Sequence, residues 1–414
     1  MKNIRLLLLL LGVLTTSAAL TTAEDNNCLT CHQDFEDEET GPSHLIVRDI
    51  HIQKGLGCAD CHGGGPSLQD MDEVRESPDW RGVPSHLEVP DFCARCHGSA
   101  SYMHEHNPSL PTDQLTKYRT SIHGQRLFVN QDTKVANCIS CHGTHQIGSA
   151  RTPHSTTHPL NLAPTCANCH ADAEYMADYD IPTDQFEKYR QSVHGKALLE
   201  RKDLGAPVCN DCHGNHGAAP PGVASLSFVC GNCHAIEAEL FSASPHRTAF
   251  EENDFPMCET CHSNHLIEQP FDKMLGVAEP ALCINCHAED DGTRGLATAA
   301  AMSQAVEKLA TAYDEARTSL EDVIAKGMMT TDEEFRLKEV QQLLVATQRQ
   351  THAVAADTVD SIAEAGYQKA NEVRTNSAAL VDEYYFRRKG LGLATLFITV
   401  LVVALWVYIR RIEK

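Results

Sequence analysis

The chain has 414 residues, with 34 Lys and Arg against 56 Asp and Glu, a formal net charge of −22. That balance excludes the ordinary nucleic-acid binder, whose affinity comes from positive charge laid against phosphates. It also carries 18 cysteines and 23 histidines, and an exported chain so rich in thiols first suggests disulfides.

In chain order, residues 1–23 read as a signal peptide. Lys2 and Arg5 precede the run LLLLLLGVL, and small residues follow. Residues 24–290 hold every cysteine, and their spacing overrules disulfides. The pairs are Cys28/Cys31, Cys58/Cys61, Cys93/Cys96, Cys138/Cys141, Cys166/Cys169, Cys209/Cys212, Cys230/Cys233, Cys258/Cys261 and Cys283/Cys286. A histidine follows each pair at once: His32, His62, His97, His142, His170, His213, His234, His262 and His287. CxxCH is the attachment signature of c-type haem. The two thiols form thioethers to the porphyrin vinyls, and the histidine becomes the proximal iron ligand. Zinc ribbons also use CxxC pairs, but zinc needs no histidine directly after every second cysteine. The expectation is nine covalently bound haem c groups. This segment has many Gly, Pro and Asn punctuators and few long apolar runs, so the haems themselves must supply the core.

Residues 291–390 change character. From about 297 to 388 there is neither cysteine nor proline. Val306, Leu309, Tyr313, Ala316, Leu320 and Val323 recur at alternating spacings of 3 and 4, a coiled-coil-like seam. Lys326-Gly327 breaks it, and Thr331 with Glu334 reads as a capping box that restarts it. Leu337, Val340 and Leu344 continue the seam, which weakens beyond Thr347. The pattern predicts a helical hairpin whose second arm runs into residues 391–409, an uncharged stretch of 19 residues long enough to cross a bilayer. The lone His352 reads as a surface histidine. With the signal peptide, this span predicts a single-pass cell-membrane protein. Its haem domain would be periplasmic and residues 410–414 a cytoplasmic tail. The fold class expected is mainly α and irregular: a haem-packed domain with little sheet, a long helical hairpin and one transmembrane helix.

The haem segment repeats itself. PTDQLTKYRTSIHG at 111–124 returns as PTDQFEKYRQSVHG at 182–195, and Cys138 and Cys209 keep the same offset. The unit is a leading histidine, a CxxCHGxH motif and a second CxxCH. The leading histidines are His123, His194 and His246; the trailing ones are His145, His216 and His265. An earlier copy has His44, Cys58–His62 and Cys93–His97, with the Cys28 motif in front. A second imidazole on each iron would give a saturated, low-spin centre suited to electron transfer. Repetition points to His123, His145, His194, His216, His246 and His265 as distal ligands, and alignment adds His44. His51 and His86 each lie seven residues before a haem cysteine and complete the set. His104, His106, His154 and His158 read equally well as loop histidines. The trailing histidine shares its own haem's proximal side, so it is expected to reach the next haem.

These motifs resemble multihaem c-type cytochromes of the class III and doubled-CxxCH kind, over residues 24–290. The resemblance implies periplasmic electron transfer through closely packed bis-histidine haems. Its partners would be a membrane quinol-oxidising or cytochrome b-type subunit and soluble or surface redox proteins, with no nucleic acid. The chain departs from the small quinol-dehydrogenase type, whose anchor is N-terminal. Octahaem hydroxylamine-oxidising and multihaem nitrite-reducing enzymes also join a haem domain to long helices, but no CxxCK occurs here. Two functions follow: a relay with no catalytic residues, or an oxidoreductase with one open haem acting on nitrite, hydroxylamine or a sulfur oxyanion. A third is an assembly scaffold or redox sensor, of which the sensor would need a cytoplasmic output domain.

Overall fold

The computed structural model describes residues 27–35, 41–65, 67–220, 226–289 and 292–413. The signal peptide expected at 1–23 lies outside them. The chain divides into two units, residues 1–181 with 213–219, and residues 182–212 with 220–414. Among the described residues there are helices and loops and no strand.

The first unit is made of short helices. Helix α1 (Asn27–Phe35) carries the first motif, and α2 (Pro42–Leu45) packs against it. Most later motifs also sit on a turn or two of helix, such as Cys58–His62, Val89–His97, Cys138–His142 and Pro159–His170. The reason is geometric: residues i, i+3 and i+4 share a helix face, so both thiols and the imidazole point to one side. Asn137 caps the Cys138–His142 helix through the Ile139 N–H, 3.1 Å. Gly143 ends it at φ 74°, a left-handed conformation that glycine accepts freely. Apolar side chains gather only thinly in this unit, around Tyr118, Leu127 and Val135.

The repeated sequence has a local cause. Tyr118 donates its hydroxyl to the Ala136 carbonyl and Tyr189 to that of Pro207, 2.8 and 2.9 Å, tying each helix to the strand of chain before the next CxxCH. Ser121 and Ser192 cap the following helix by accepting the Gly124 and Gly195 N–H groups, 2.9 and 3.0 Å. A Cβ on Gly124 would lie 1.8 Å from the Tyr118 carbonyl oxygen, and one on Gly195 1.9 Å from that of Tyr189. The expected result of Gly124→Ala is a loss of about 1–3 kcal/mol, the usual range for overpacking. It is read as a lower denaturant midpoint of the haem-loaded protein.

In the second unit the expected hairpin is three helices. These are α3 (Gly295–Ala325), α4 (Thr331–Gln350) and α5 (Ala356–Ile412). The seam is buried as its spacing predicts, with Val306, Leu309, Ala316, Leu320 and Val323 at 2% exposure or less and Tyr313 packed at the edge. Val340, Val359, Ala363, Ala370 and Val373 close the core from α4 and α5. The N-cap of α4 is Thr330, one residue before the expected Thr331, and its hydroxyl meets Glu334. Between α4 and α5 the chain turns through Thr351–Ala353 and a left-handed Val354, φ 51°. No Gly or Pro stands there, which is why the spacing did not disclose a third helix. Helices α4 and α5 run antiparallel: Gln350 meets Thr358, Glu339 meets Lys369, and Glu333 meets Asn376. Helix α5 then continues, and from Leu391 onward its apolar side chains are exposed. It is the one described helix long and apolar enough to cross a membrane.

Candidate functional site

The motif histidines meet other histidines at a constant distance. In the first unit the ring centres of His62 and His145 are 6.1 Å apart, those of His97 and His51 5.9 Å, His142 and His216 6.2 Å, and His170 and His123 6.0 Å. In the second unit His234 faces His194 at 6.2 Å, His287 faces His246 at 6.1 Å, and His262 faces His352 at 6.1 Å. The angles between ring planes range from 14° to 77°. Ring stacking would favour particular angles; here the distance is what recurs. Two metal–nitrogen bonds of about 2 Å, each followed by about 1 Å from nitrogen to ring centre, give a separation of about 6 Å. The gap between each pair therefore admits one metal ion held from both sides. Among the described residues no three Cys, His or carboxylate side chains gather as a tetrahedral zinc site would need. The donor set is a facing pair of imidazoles, one of them adjoining a CxxC pair of thiols, which fits haem c.

Several of these rings are oriented through Nδ1, leaving Nε2 for the metal. His62 Nδ1 lies 2.8 Å from the Gly82 carbonyl, His213 Nδ1 3.3 Å from that of Ala219, and His352 Nδ1 2.9 Å from that of Arg349. His51 Nδ1 lies 2.8 Å from the Asp49 carboxylate. Burial first, and the facing or neighbouring imidazole second, hold His123, His170, His194 and His246 below the ordinary imidazole range. They are thereby kept neutral, the form that ligates metals.

Neighbours in sequence are neighbours in space. In the first unit Cys28 feels the charge of Cys58, and Cys61 that of Cys96 and Cys93. Cys93 contacts Cys138, and Cys141 is pushed up to about 11 by burial and then by Cys166 and Cys169. In the second unit Cys212 lies near Cys230 and Cys233, Cys230 contacts Cys258, and Cys261 lies near Cys283 and Cys286. Within each unit the motifs thus follow one another as in the chain.

Cys31 differs in exposure from the other thiol of its motif. Its side chain is exposed, while Cys28, one turn earlier on α1, is half-buried. Cys58 of the next motif lies toward Cys28. Cys212, Cys233, Cys261 and Cys286 are exposed as well. In each of these five motifs the second thiol is the exposed one and the first is half-buried. Thioether formation requires a thiol within reach of a vinyl group, not an enclosed one, so the spacing that names Cys31 as an attachment residue says nothing of its burial.

The structure redistributes the expected histidines. The leading histidine of each repeat faces the second CxxCH of its own repeat, as His123 does His170. The trailing histidine faces backward, not toward the next haem: His145 meets His62 and His216 meets His142. The cause is a recurring backbone tie. Ile50 donates to the Ile147 carbonyl, Ile122 to that of Ala218 and Val193 to that of Ile267, 2.8, 3.1 and 2.8 Å. These ties fold each trailing segment against the residue before an earlier leading histidine. They give His265 the register of His145 and His216, and they make His51, not His44, the leader of the first repeat. His44 sits on α2 beside α1, with Nε2 buried and without a hydrogen-bond partner. His86, expected as a ligand, instead brings its Nε2 within 2.8 Å of the Val135 carbonyl, while its own carbonyl accepts from Asn137. Of the histidines left open, His106 packs on Tyr102 and His158 caps the Pro159–His170 helix.

His352, read from the sequence as a surface histidine, is the ring that faces His262. It stands in the turn between α4 and α5, and Val354 two residues on holds φ 51°. A β-branched residue there costs about 1–3 kcal/mol, so the surrounding structure must enforce the turn. Arg349 pairs with Glu237 at 3.0 Å and Gln348 reaches Asp272 at 2.8 Å, fixing the turn against the haem-motif segment.

Comparison with known proteins agrees with this chemistry. Family models described as cytochrome c3, doubled CXXCH motif, and cytochrome c554 and c-prime match residues 50–171, 248–292 and 13–63. The chain is 24% identical over 323 residues to the C-type polyheme cytochrome OmcC of Geobacter sulfurreducens, covering 69% of this chain and 40% of that protein. It is 26% identical over 273 residues to the multiheme cytochrome MtrA of Shewanella baltica, covering 60% of this chain and 80% of that one. The alignment thus spans about two-fifths of the Geobacter protein. With its CxxCH motifs, paired histidines and these relatives, the chain is a multihaem c-type cytochrome that binds haem c covalently.

Proposed function

We propose that the chain is a membrane-anchored periplasmic relay carrying nine haems. It would pass electrons between a quinol-linked membrane donor and a periplasmic or surface redox partner. The observation that carries this reading is the recurrence of paired imidazoles at 5.9–6.2 Å. Bound haem c supplies a one-electron couple; the residues supply its attachment, its axial ligands and its neighbours.

The ligand pairs proposed are His62 with His145, His97 with His51, His142 with His216, His170 with His123, His234 with His194, His262 with His352 and His287 with His246. His44 is proposed for the first motif, whose His32 lies on the helix packed beside it and whose thiols are Cys28 and the exposed Cys31. His86 is left out of these pairs. Filled sixth positions favour transfer over catalysis, because no iron then offers a site to nitrite or hydroxylamine.

Mass analysis of the mature protein is expected to show nine covalent haems. Low-temperature EPR of the oxidised protein is expected to show only low-spin signals, unchanged by nitrite or hydroxylamine. A high-spin signal that shifts with either ligand would overturn the relay in favour of an enzyme with one open haem.

A further inference from the structure

The leading histidine of each repeat is the second residue of a short helix, and the residue two before it is that helix's N-cap. Ser121, Ser192 and Ser244 fill this place in the later repeats; Asp49 fills it in the first. The serines are uncharged, and their hydroxyls donate to the preceding turn, at the carbonyls of Tyr118, Tyr189 and Phe241, 2.6, 2.6 and 2.7 Å. Asp49 does something else. It is 4% exposed, and its Oδ2 accepts from the Ile147 N–H at 2.8 Å. Its Oδ1 accepts from the His51 backbone N–H at 2.9 Å and lies 2.8 Å from His51 Nδ1. His51 in turn faces His97 at 5.9 Å.

We propose that Asp49 is a positioning residue that lowers the reduction potential of the haem held by His97 and His51 below those led by His123, His194 and His246. The proposal rests on the ligand reading above. A carboxylate accepting the Nδ1 proton makes the imidazole more basic and a stronger donor to iron. Ligand hydrogen bonding and burial are both levers on haem potential, and a buried negative charge one ring away favours the ferric state over the ferrous. At His62 and His352 the Nδ1 partners are neutral carbonyls. The low-potential site would fall third in the row of motifs. Electrons would cross it as a step uphill, and it would separate the first two haems from those that follow.

The test is an EPR-monitored potentiometric titration of Asp49→Ser and Asp49→Asn in the full haem-loaded protein. One low-spin component is expected to shift upward by a tenfold change in its oxidised-to-reduced ratio, about 59 mV for one electron, with the others unmoved. Asp49→Ser also shortens the side chain that meets Ile147; if its haem count falls, Asp49→Asn decides, since it keeps an oxygen for the Ile147 N–H while removing the charge. An Asp49→Asn protein with full haem content and every component at its original potential overturns the proposal. His51→Ala serves as the separate control. If it leaves all irons low-spin, His51 is no ligand and the pairing itself fails. If it opens one iron while Asp49→Asn shifts nothing, only the tuning role falls.

Discussion

On the proposed ligation, replacing His352 by alanine is expected to open one iron while leaving every haem attached. The thioethers and the proximal His262 are untouched by the change, so haem content by mass should be unaltered. The sixth position at that iron loses its nitrogen, and the EPR spectrum should gain one high-spin component. Reduced protein should then bind carbon monoxide at one site where the parent binds none, and added imidazole should restore the low-spin signal. The parallel substitution of His106, which packs on Tyr102, should do none of this. A His352→Ala protein that stays wholly low-spin would remove the helical region from the haem chemistry and return His352 to the surface role its sequence context suggests. The change should also loosen the turn, since the proposed ligand bond would join the α4–α5 connection to the Cys258 motif. The Arg349–Glu237 and Gln348–Asp272 contacts would be left to hold it. A half-exposed ion pair such as Arg349–Glu237 contributes about 0–1 kcal/mol and an exposed hydrogen bond such as Gln348–Asp272 about as little, both weak beside a metal–nitrogen bond.

The contrast between His262 and His352 explains what could be read from sequence. Attachment and proximal ligation lie within five consecutive residues, so Cys258, Cys261 and His262 disclose themselves. The helix that aligns them is one turn of local chain. Repetition disclosed His123, His194 and His246 as a class, because Tyr118 and Tyr189, Ser121 and Ser192, and Gly124 and Gly195 do the same local work in each copy. Partnership is different: His145 finds His62 and His352 finds His262 through tertiary folding, and nothing in the spacing encodes direction. The trailing histidines therefore read as reaching forward, when the ties from Ile50 and Ile122 turn them back. His51 and His44 exchanged places for the same reason. His352 was hidden further, in a helical region without cysteine. The break that presents it runs through Val354 in a conformation valine disfavours, so no turn residue marked it. The seam from Val306 to Val323 was legible throughout, since helix periodicity is local and its burial follows directly.

Ending the chain after Lys389 is expected to move the protein from the membrane fraction to the soluble fraction with its haems intact. Each Leu, Ile, Phe or Val of the proposed span contributes about 0.3–0.6 kcal/mol to insertion. The stretch from Leu391 to Ile409 is rich in them, so their sum is several kcal/mol. The core of the three-helix region ends earlier. Val373 and Ser377 are the last buried side chains of α5, and Glu333 at the start of α4 meets Asn376. The cut therefore leaves the bundle, the α4–α5 turn and His352 in place, and EPR spectrum and midpoint potentials should match those of the full chain. Truncated protein that remains in the membrane would show that something other than this span holds it there. The same helix sets a distance. Between Ala356 and Gly390 it rises about 1.5 Å per residue, so some 50 Å of straight helix separate the turn at His352 from the start of the apolar stretch. On the proposed membrane anchoring, an electron held near His262 would be far from any quinol in the bilayer. A quinol-linked donor would then either reach that height with a redox domain of its own or deliver to another haem of the row. Reduction of the truncated protein by a membrane preparation supplied with quinol distinguishes these. Loss of reduction on truncation means that the span docks the donor, and retained reduction means that the donor reaches the haem units through solution.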